Sequence, residues 1–361
     1  MNLIIAFMGA FLLALALTPW VRSKAVAWGA VDYPNQRKVH SGVMPRLGGL
    51  VIYTAFVPLA LVGSSFAMPV IGLALGATLI LFLGVADDIR GISPRVKLAG
   101  QTLAALAVVP FGVKVEFITN PFNNDLINND PIGLGIFAVP ITVLWLVAVT
   151  NAVNLIDGLD GLAGGVSCIA SLTMAAVALT QLKVFGISSQ TDIIALSLIL
   201  AASILGFMKY NFHPASIFLG DSGSMLLGFS LAVISIMGLT KSTAAISVII
   251  PMVVMGIPLL DTVFAIVRRF HENRPIFQPD REHLHHQLLA RGFSHRQAVL
   301  LIYAVSLIMG ASAVIMNLLT TNQAMLLLVI LATLTLLAAN RIGVIKRIPP
   351  KGELTKRSSN I

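Results

Sequence analysis

The sequence predicts an all-α integral membrane protein of about eleven transmembrane helices, with its N-terminus outside and its C-terminus in the cytoplasm. Three observations predict it. Of 361 residues, 57% are hydrophobic and only 11% charged, whereas soluble domains carry about 25% charge. Apolar windows long enough to cross a hydrocarbon core of roughly 30 Å recur along the whole chain, giving a mean hydropathy of +0.91. Lys and Arg crowd alternate connections between those windows.

The windows run from Leu3 to Val21, Leu47 to Val62, Pro69 to Ala86, Leu98 to Val113, Ile132 to Val149 and Leu162 to Thr180. They continue at Ile193 to Met208, Ile217 to Leu239, Ala244 to Val267, Ala298 to Met316 and Ala324 to Ala339. The first has no preceding Lys or Arg and no small-residue cleavage site, so it reads as a retained span rather than a signal peptide. With the N-terminus outside, the inner loops and the tail hold 21 of the 24 Lys and Arg residues, leaving only Lys114, Lys183 and Lys241 outside. Cytoplasmic loops carry such an excess, and one missed or invented helix would scramble it. The same bias explains the net charge of +9 without a nucleic-acid partner. The single Cys168 lies in an apolar helix, so disulfides add nothing. The chain therefore reads as one transmembrane domain over residues 1–340 with a basic cytoplasmic tail over 341–361.

Against this background the placement of the acids is informative. Asp87 and Asp88 end the third window, Asp157 and Asp160 follow the fifth, Asp221 opens the eighth, and Asp261 lies near the inner end of the ninth. All fall on the predicted cytoplasmic side. Adjacent Asp87 and Asp88 read either as a solvated helix end balanced by Arg90, Arg95 and Lys97, or as a metal or general-base site, because neighbouring carboxylates resist ionising together.

The run Asn151 to Leu162 places two amides and two carboxylates in twelve residues. Asp157 and Asp160, three apart and each followed by Gly, share one face of a helical turn. The run lacks the alternating ligands and the distal Glu of a calcium loop; a polar helix cap is the plainer alternative. Asn151 and Asn154 suit base or sugar recognition through paired donors and acceptors. Phe218 to Ser224 sets Asp221 among glycines and hydroxyls at the start of a span. That arrangement is either a cap, or an anion site with a carboxylate for the accompanying cation. Finally, Arg281, His283, His285 and His286 cluster in the long inner loop. Zinc is one reading, but no Cys is near and Arg281 opposes a cation; holding phosphate oxygens is the other.

These elements, in this order across the predicted spans, closely resemble the polyprenyl-phosphate N-acetylhexosamine-1-phosphate transferase family over nearly the whole chain. Asp32 to His40, then Pro45-Arg46-Leu47-Gly48-Gly49, together with His283-Leu284-His285-His286, look like the branch that uses UDP-N-acetylglucosamine (UDP-GlcNAc). The sister branch, acting on a muramoyl-pentapeptide donor, typically has Pro-Thr-Met-Gly-Gly and three consecutive histidines. The resemblance implies a bacterial cytoplasmic-membrane enzyme that transfers GlcNAc-1-phosphate from UDP-GlcNAc to undecaprenyl phosphate, releasing UMP and starting an envelope glycan. It implies Mg²⁺, with Mn²⁺ an alternative, and it is compatible with a homodimer.

Carried over residue by residue, the resemblance makes Asp221 the metal ligand and Asp87, assisted by Asp88, the acceptor of the lipid phosphate's proton. Asn154 and Asp157 shape the centre, and Gly158, Leu159 and Asp160 form the uracil turn. Lys97, Arg281, His283, His285 and His286 hold the diphosphate or the sugar. Single displacement and a covalent two-step route both remain compatible with these residues. A secondary transporter is the rival from another class, but transporters hold their sites near the midplane, whereas these acids gather at one face.

Overall fold

The computed structural model describes residues 2–33, 42–118, 132–239, 249–271 and 283–341. Arg281, the stretch from Pro34 to His40 and all but the first residue of the basic tail lie outside the described residues. The described residues form thirteen α-helices, joined by short 3-10 turns and two tiny antiparallel hairpins. In chain order these are α1 (Leu3–Ala27), α2 (Gly48–Gly63), α3 (Met68–Arg90), α4 (Pro94–Val108), α5 (Ala138–Leu155), α6 (Leu162–Phe185) and α7 (Thr191–Asn211). Then come α8 (Gly220–Leu239), α9 (Ile249–Val254), α10 (Gly256–His271), α11 (Leu284–Ala290), α12 (His295–Met316) and α13 (Thr321–Arg341). Strand β1 (Val31–Asp32) pairs with β2 (Met44–Pro45), and β3 (Phe117–Ile118) with β4 (Ile132–Gly133).

The chain is an all-α integral membrane protein. Eight helices are long and apolar enough to span a membrane, and α2 is a shorter apolar helix of the same kind. Every one of the eleven predicted windows overlaps a helix. The ninth is corrected in form: among the described residues it holds two helices, α9 and α10, rather than one. Pro258 explains the break, because its ring collides with the carbonyl four residues back, at Val254, and it has no N–H to offer there. Elsewhere the ends are set locally. Ser93 caps α4 ahead of Pro94, and Ser294 with Gln297 forms a reciprocal capping box on α12.

The helices do not share the core equally. Of the α8 window 89% is buried, against 11% for α13, so α8 is the central post and α13 a peripheral one. Around α8 pack α2, α3, α5, α6 and α7. Because the helices alternate in direction, one end of the bundle collects the ends of α3, α5, α7 and α10 and the starts of α4, α6, α8 and α12. The acidic motifs sit on those termini. Residues far apart in sequence therefore meet around the N-terminus of α8.

Candidate active site

The start of α8 is built by two other segments. Phe218 donates its backbone N–H to the Pro45 carbonyl at 2.8 Å, and the amides of Gly48 and Gly49 return to Phe218 and Leu219. The Pro45-Arg46-Leu47-Gly48-Gly49 motif thus cradles the loop that carries Asp221. From α3, Asp88 accepts the Asp221 amide at 2.9 Å on Oδ1 and the Ser222 amide at 3.0 Å on Oδ2. Asp88 is a cap from outside the helix, satisfying two of the amides that a helix start leaves unpaired. Gly220 makes the cap possible: its φ is +73°, and a Cβ there would stand 2.6 Å from an Asp88 oxygen. Arg46 donates two hydrogen bonds to the Asp88 carbonyl, at 3.1 and 2.8 Å.

Asp221, thus presented, is the hub of a charged cluster. Lys97, from the first turn of α4, donates to Asp221 Oδ1 at 2.9 Å and is ion-paired with Asp87 Oδ2. Asn154, from the last turn of α5, donates to the same Asp221 oxygen at 2.7 Å and to Ser224 Oγ at 2.8 Å. Asp87 also accepts the Ile92 amide at 2.6 Å, which ties down the α3–α4 turn. One helical turn further in, Asn151 donates to Gln101 at 2.6 Å. Asn151 is therefore a clamp between α5 and α4, whereas Asn154 lines the cavity described next.

Beside the hub lies a cavity of about 620 Å³, within the range of about 300–1,000 Å³ that ligand sites occupy. Asp88, Asn154, Asp157, Gly158, Leu159, Asp160, Asp221 and His286 line it. Asp87, Lys97, His283 and His285 do not reach its wall. Among the described residues no donor meets the Asp157 carboxyl. Burial, together with the charges of Asp221, Asp88 and Asp160, pushes it well above the usual carboxylate range.

Asp160 is held differently. It accepts from His213 Nδ1 at 2.8 Å and from the Ala215 amide at 3.0 Å, while His295 stacks on His213 with ring centroids 4.1 Å apart. His213 and His295 both line the cavity, and the sequence motifs do not include them. Each follows or opens a helix on the same face as the acids, which is the signal that could have found them. Candidate ligating atoms of Asp160, His213 and His295 lie within 4.8 Å of one another.

The histidine loop divides by role. His283 donates from Nδ1 to Asp261 Oδ2 at 2.9 Å, and both residues are buried. The His285 ring lies against Gly158, where a Cβ would come within 3.0 Å of its Cδ2. Burial and the neighbouring His286 push His285 down to about 3, so it is neutral. His286 alone of the three reaches the cavity.

The fold and site define a helical membrane protein with a cavity lined by carboxylates and histidines at one end of its bundle. Comparison with known proteins makes this particular. The model of glycosyl transferase family 4 matches residues 70–239. A protein of Bacillus subtilis named "Probable undecaprenyl-phosphate N-acetylglucosaminyl 1-phosphate transferase" is 40% identical over 358 residues, covering 99% of this chain and 97% of its own. The decaprenyl-phosphate N-acetylglucosaminephosphotransferase of Mycolicibacterium smegmatis is 36% identical, covering 79% of this chain and 75% of its own. The undecaprenyl-phosphate alpha-N-acetylglucosaminyl 1-phosphate transferase of Escherichia coli is 29% identical, covering 84% of this chain and 81% of its own. The chain belongs to the family of polyprenyl-phosphate N-acetylglucosaminyl 1-phosphate transferases.

Proposed function

We propose that the chain transfers GlcNAc-1-phosphate from UDP-GlcNAc to a membrane-held polyprenyl phosphate, releasing UMP and leaving a lipid-linked GlcNAc diphosphate. The observation that carries this reading is the cluster of Asp221, Asn154 and Lys97 beside a cavity of about 620 Å³ at one end of the bundle. A relative 40% identical over 99% of the chain is named a probable undecaprenyl-phosphate N-acetylglucosaminyl 1-phosphate transferase. The basic loops on the same side support a cytoplasmic site, where a soluble nucleotide sugar meets a lipid phosphate at the headgroups.

Phosphoryl transfer depends on positioning and charge neutralisation more than on covalent help. Among the described residues the ion-pair partners of Asp87, Asp88 and Asp221 are Lys97 and Arg46, and Arg46 is shared with Asp32. This excess of carboxylates over cations and the hard oxygen donors suit a divalent ion such as Mg²⁺. Such an ion is commonly held by one or two protein carboxylates together with the substrate's phosphate oxygens. Asp221 would hold it, and bound there it would offset the charge of the diphosphate.

The remaining steps belong to the chain. Asn154 fixes Asp221, and Lys97, braced by Asp87, keeps a positive charge beside it. Asp87, paired with Lys97 beside Asp221, takes a proton from the attacking phosphate, and Asp157, which lines the cavity, is a second carboxyl placed for that step. Leu159 and Asp160 shape the uracil end, with His213 and His295 behind Asp160. His286 is placed for the diphosphate or sugar. The deciding experiment measures UMP release from UDP-GlcNAc by purified protein with polyprenyl phosphate and Mg²⁺. UMP release that requires the lipid acceptor is expected, and its absence in folded protein would sink the reading.

A further inference from the structure

Asp261 has no part in the phosphoryl transfer itself. It sits in α10, 4% exposed, away from the cavity wall and from the Asp221 cluster. A buried carboxylate is costly unless it is well bonded, and both oxygens here are used by one short segment. Oδ2 accepts from His283 Nδ1 at 2.9 Å, and Oδ1 accepts the Leu284 amide at 2.8 Å. His283 is itself 5% exposed. Its side chain makes no capping bond to α11, so Asp261 supplies that helix's first amide with an acceptor from outside.

The residues just past this anchor face the site. His285 comes two residues after His283 and packs against Gly158; His286 is next and lines the cavity. The rings step from one to the other, His283 and His285 being parallel within 4° and His285 and His286 lying 4.2 Å apart. Position is thus handed from α10 through His283 to the cavity wall. The hydrogen bond from Nδ1 to the Asp261 carboxyl also fixes the His283 ring plane.

We propose that Asp261 is a positioning residue for nucleoside-diphosphate-sugar binding, acting through His283 and the start of α11 to hold His286 at the cavity and His285 under the Gly158 turn. The proposal rests on the reading of the chain as a nucleotide-sugar transferase. It predicts a loss confined to the donor side, because the anchored segment meets the cavity at Gly158 and His286 and not at the Lys97–Asp87 side.

The test compares D261N, H283Q and H283N in detergent, measuring kcat, the KM for UDP-GlcNAc, the KM for polyprenyl phosphate and the melting temperature. D261N and H283Q are expected to raise the donor KM at least about tenfold, the worth of one charge-assisted hydrogen bond, with the acceptor KM within about twofold. H283N, whose amide nitrogen stands where Nδ1 stood, is expected to stay within about threefold of wild type. An unchanged donor KM in D261N and H283Q overturns the proposal, as does H283N failing as badly as H283Q. If D261N does not fold, the H283N and H283Q pair decides alone. If wild type releases no UMP, the functional reading has failed instead, and amide exchange over Leu284–Ala290 decides the anchor: about tenfold faster exchange in H283Q than in H283N supports it, and equal exchange overturns it.

Discussion

Lys97 and Asp221, 124 positions apart in the chain, are joined by a 2.9 Å ion pair that ties the first turn of α4 to the first turn of α8. With Asp87 on its other side, the Lys97 ammonium bridges two of the clustered carboxylates. Lys97→Ala is expected to lower kcat at least about 100-fold, in line with the loss of about 3 kcal/mol when a partner of a buried charge pair is removed. Initial rates on folded protein check this; turnover within threefold of wild type would remove Lys97 from the machinery.

Asp221→Asn is expected to abolish turnover and leave a folded, membrane-inserted protein. The amide keeps the shape and an acceptor for Asn154 but weakens any hold on a divalent cation. A Mg²⁺ titration of the variant is the check, and activity close to wild type at ordinary Mg²⁺ would end the metal assignment.

Asp88→Ala and Gly220→Ala should fail through the same cap by different routes. The first removes two charge-assisted acceptors from the α8 amides, a loss of about 3 kcal/mol. The second forces a Cβ onto the Asp88 carboxylate at a φ of +73°, costing on the order of 1–3 kcal/mol in backbone strain before any contact is counted. Both should lower the melting temperature in detergent, and the double variant should fall short of the sum because one cap is being lost twice.

His213→Ala should act as a nucleotide-binding variant. Asp160 would lose the 2.8 Å partner that holds it at the cavity, so the KM for UDP-GlcNAc and that for its epimers should rise together, about tenfold, with kcat little changed. Competition by UMP gives a second readout; an altered preference between epimers would move His213 to the sugar end.

His285 gives the protein a stability that depends on pH. Its folded value of about 3 lies below the ordinary 6.5, so between these limits the unfolded chain binds more protons. Stability from this residue is complete above about 6.5 and is lost as pH falls toward 3. Between pH 7 and pH 5 wild type should lose on the order of 2 kcal/mol from this source. His285→Asn should flatten that part of the melting profile, and an unchanged slope would refute the buried neutral imidazole.

Much of this architecture is legible in the sequence because membrane insertion is a local property. Hydropathy over about twenty residues places a span, and a basic residue beside it marks its side, so the helices and the end on which Asp87, Asp157 and Asp221 gather follow from neighbours in the chain. The break at Pro258 is legible too, in a residue whose backbone chemistry is independent of its surroundings, although hydropathy alone reads the window as one helix. What only the tertiary structure decided is which side chains share partners. Asp88 caps α8 because α3 ends where α8 begins, Asn151 turns to Gln101 because α4 packs on α5, and Asp160 meets His213 and His295 across three helix termini. Asp261 reaches His283 in the same way. Such pairings depend on distances set by helix packing, and no periodicity in the sequence carries them; hydrophobic spacing decides where a helix lies, but the partner of a buried charge is fixed only once two helix ends have met.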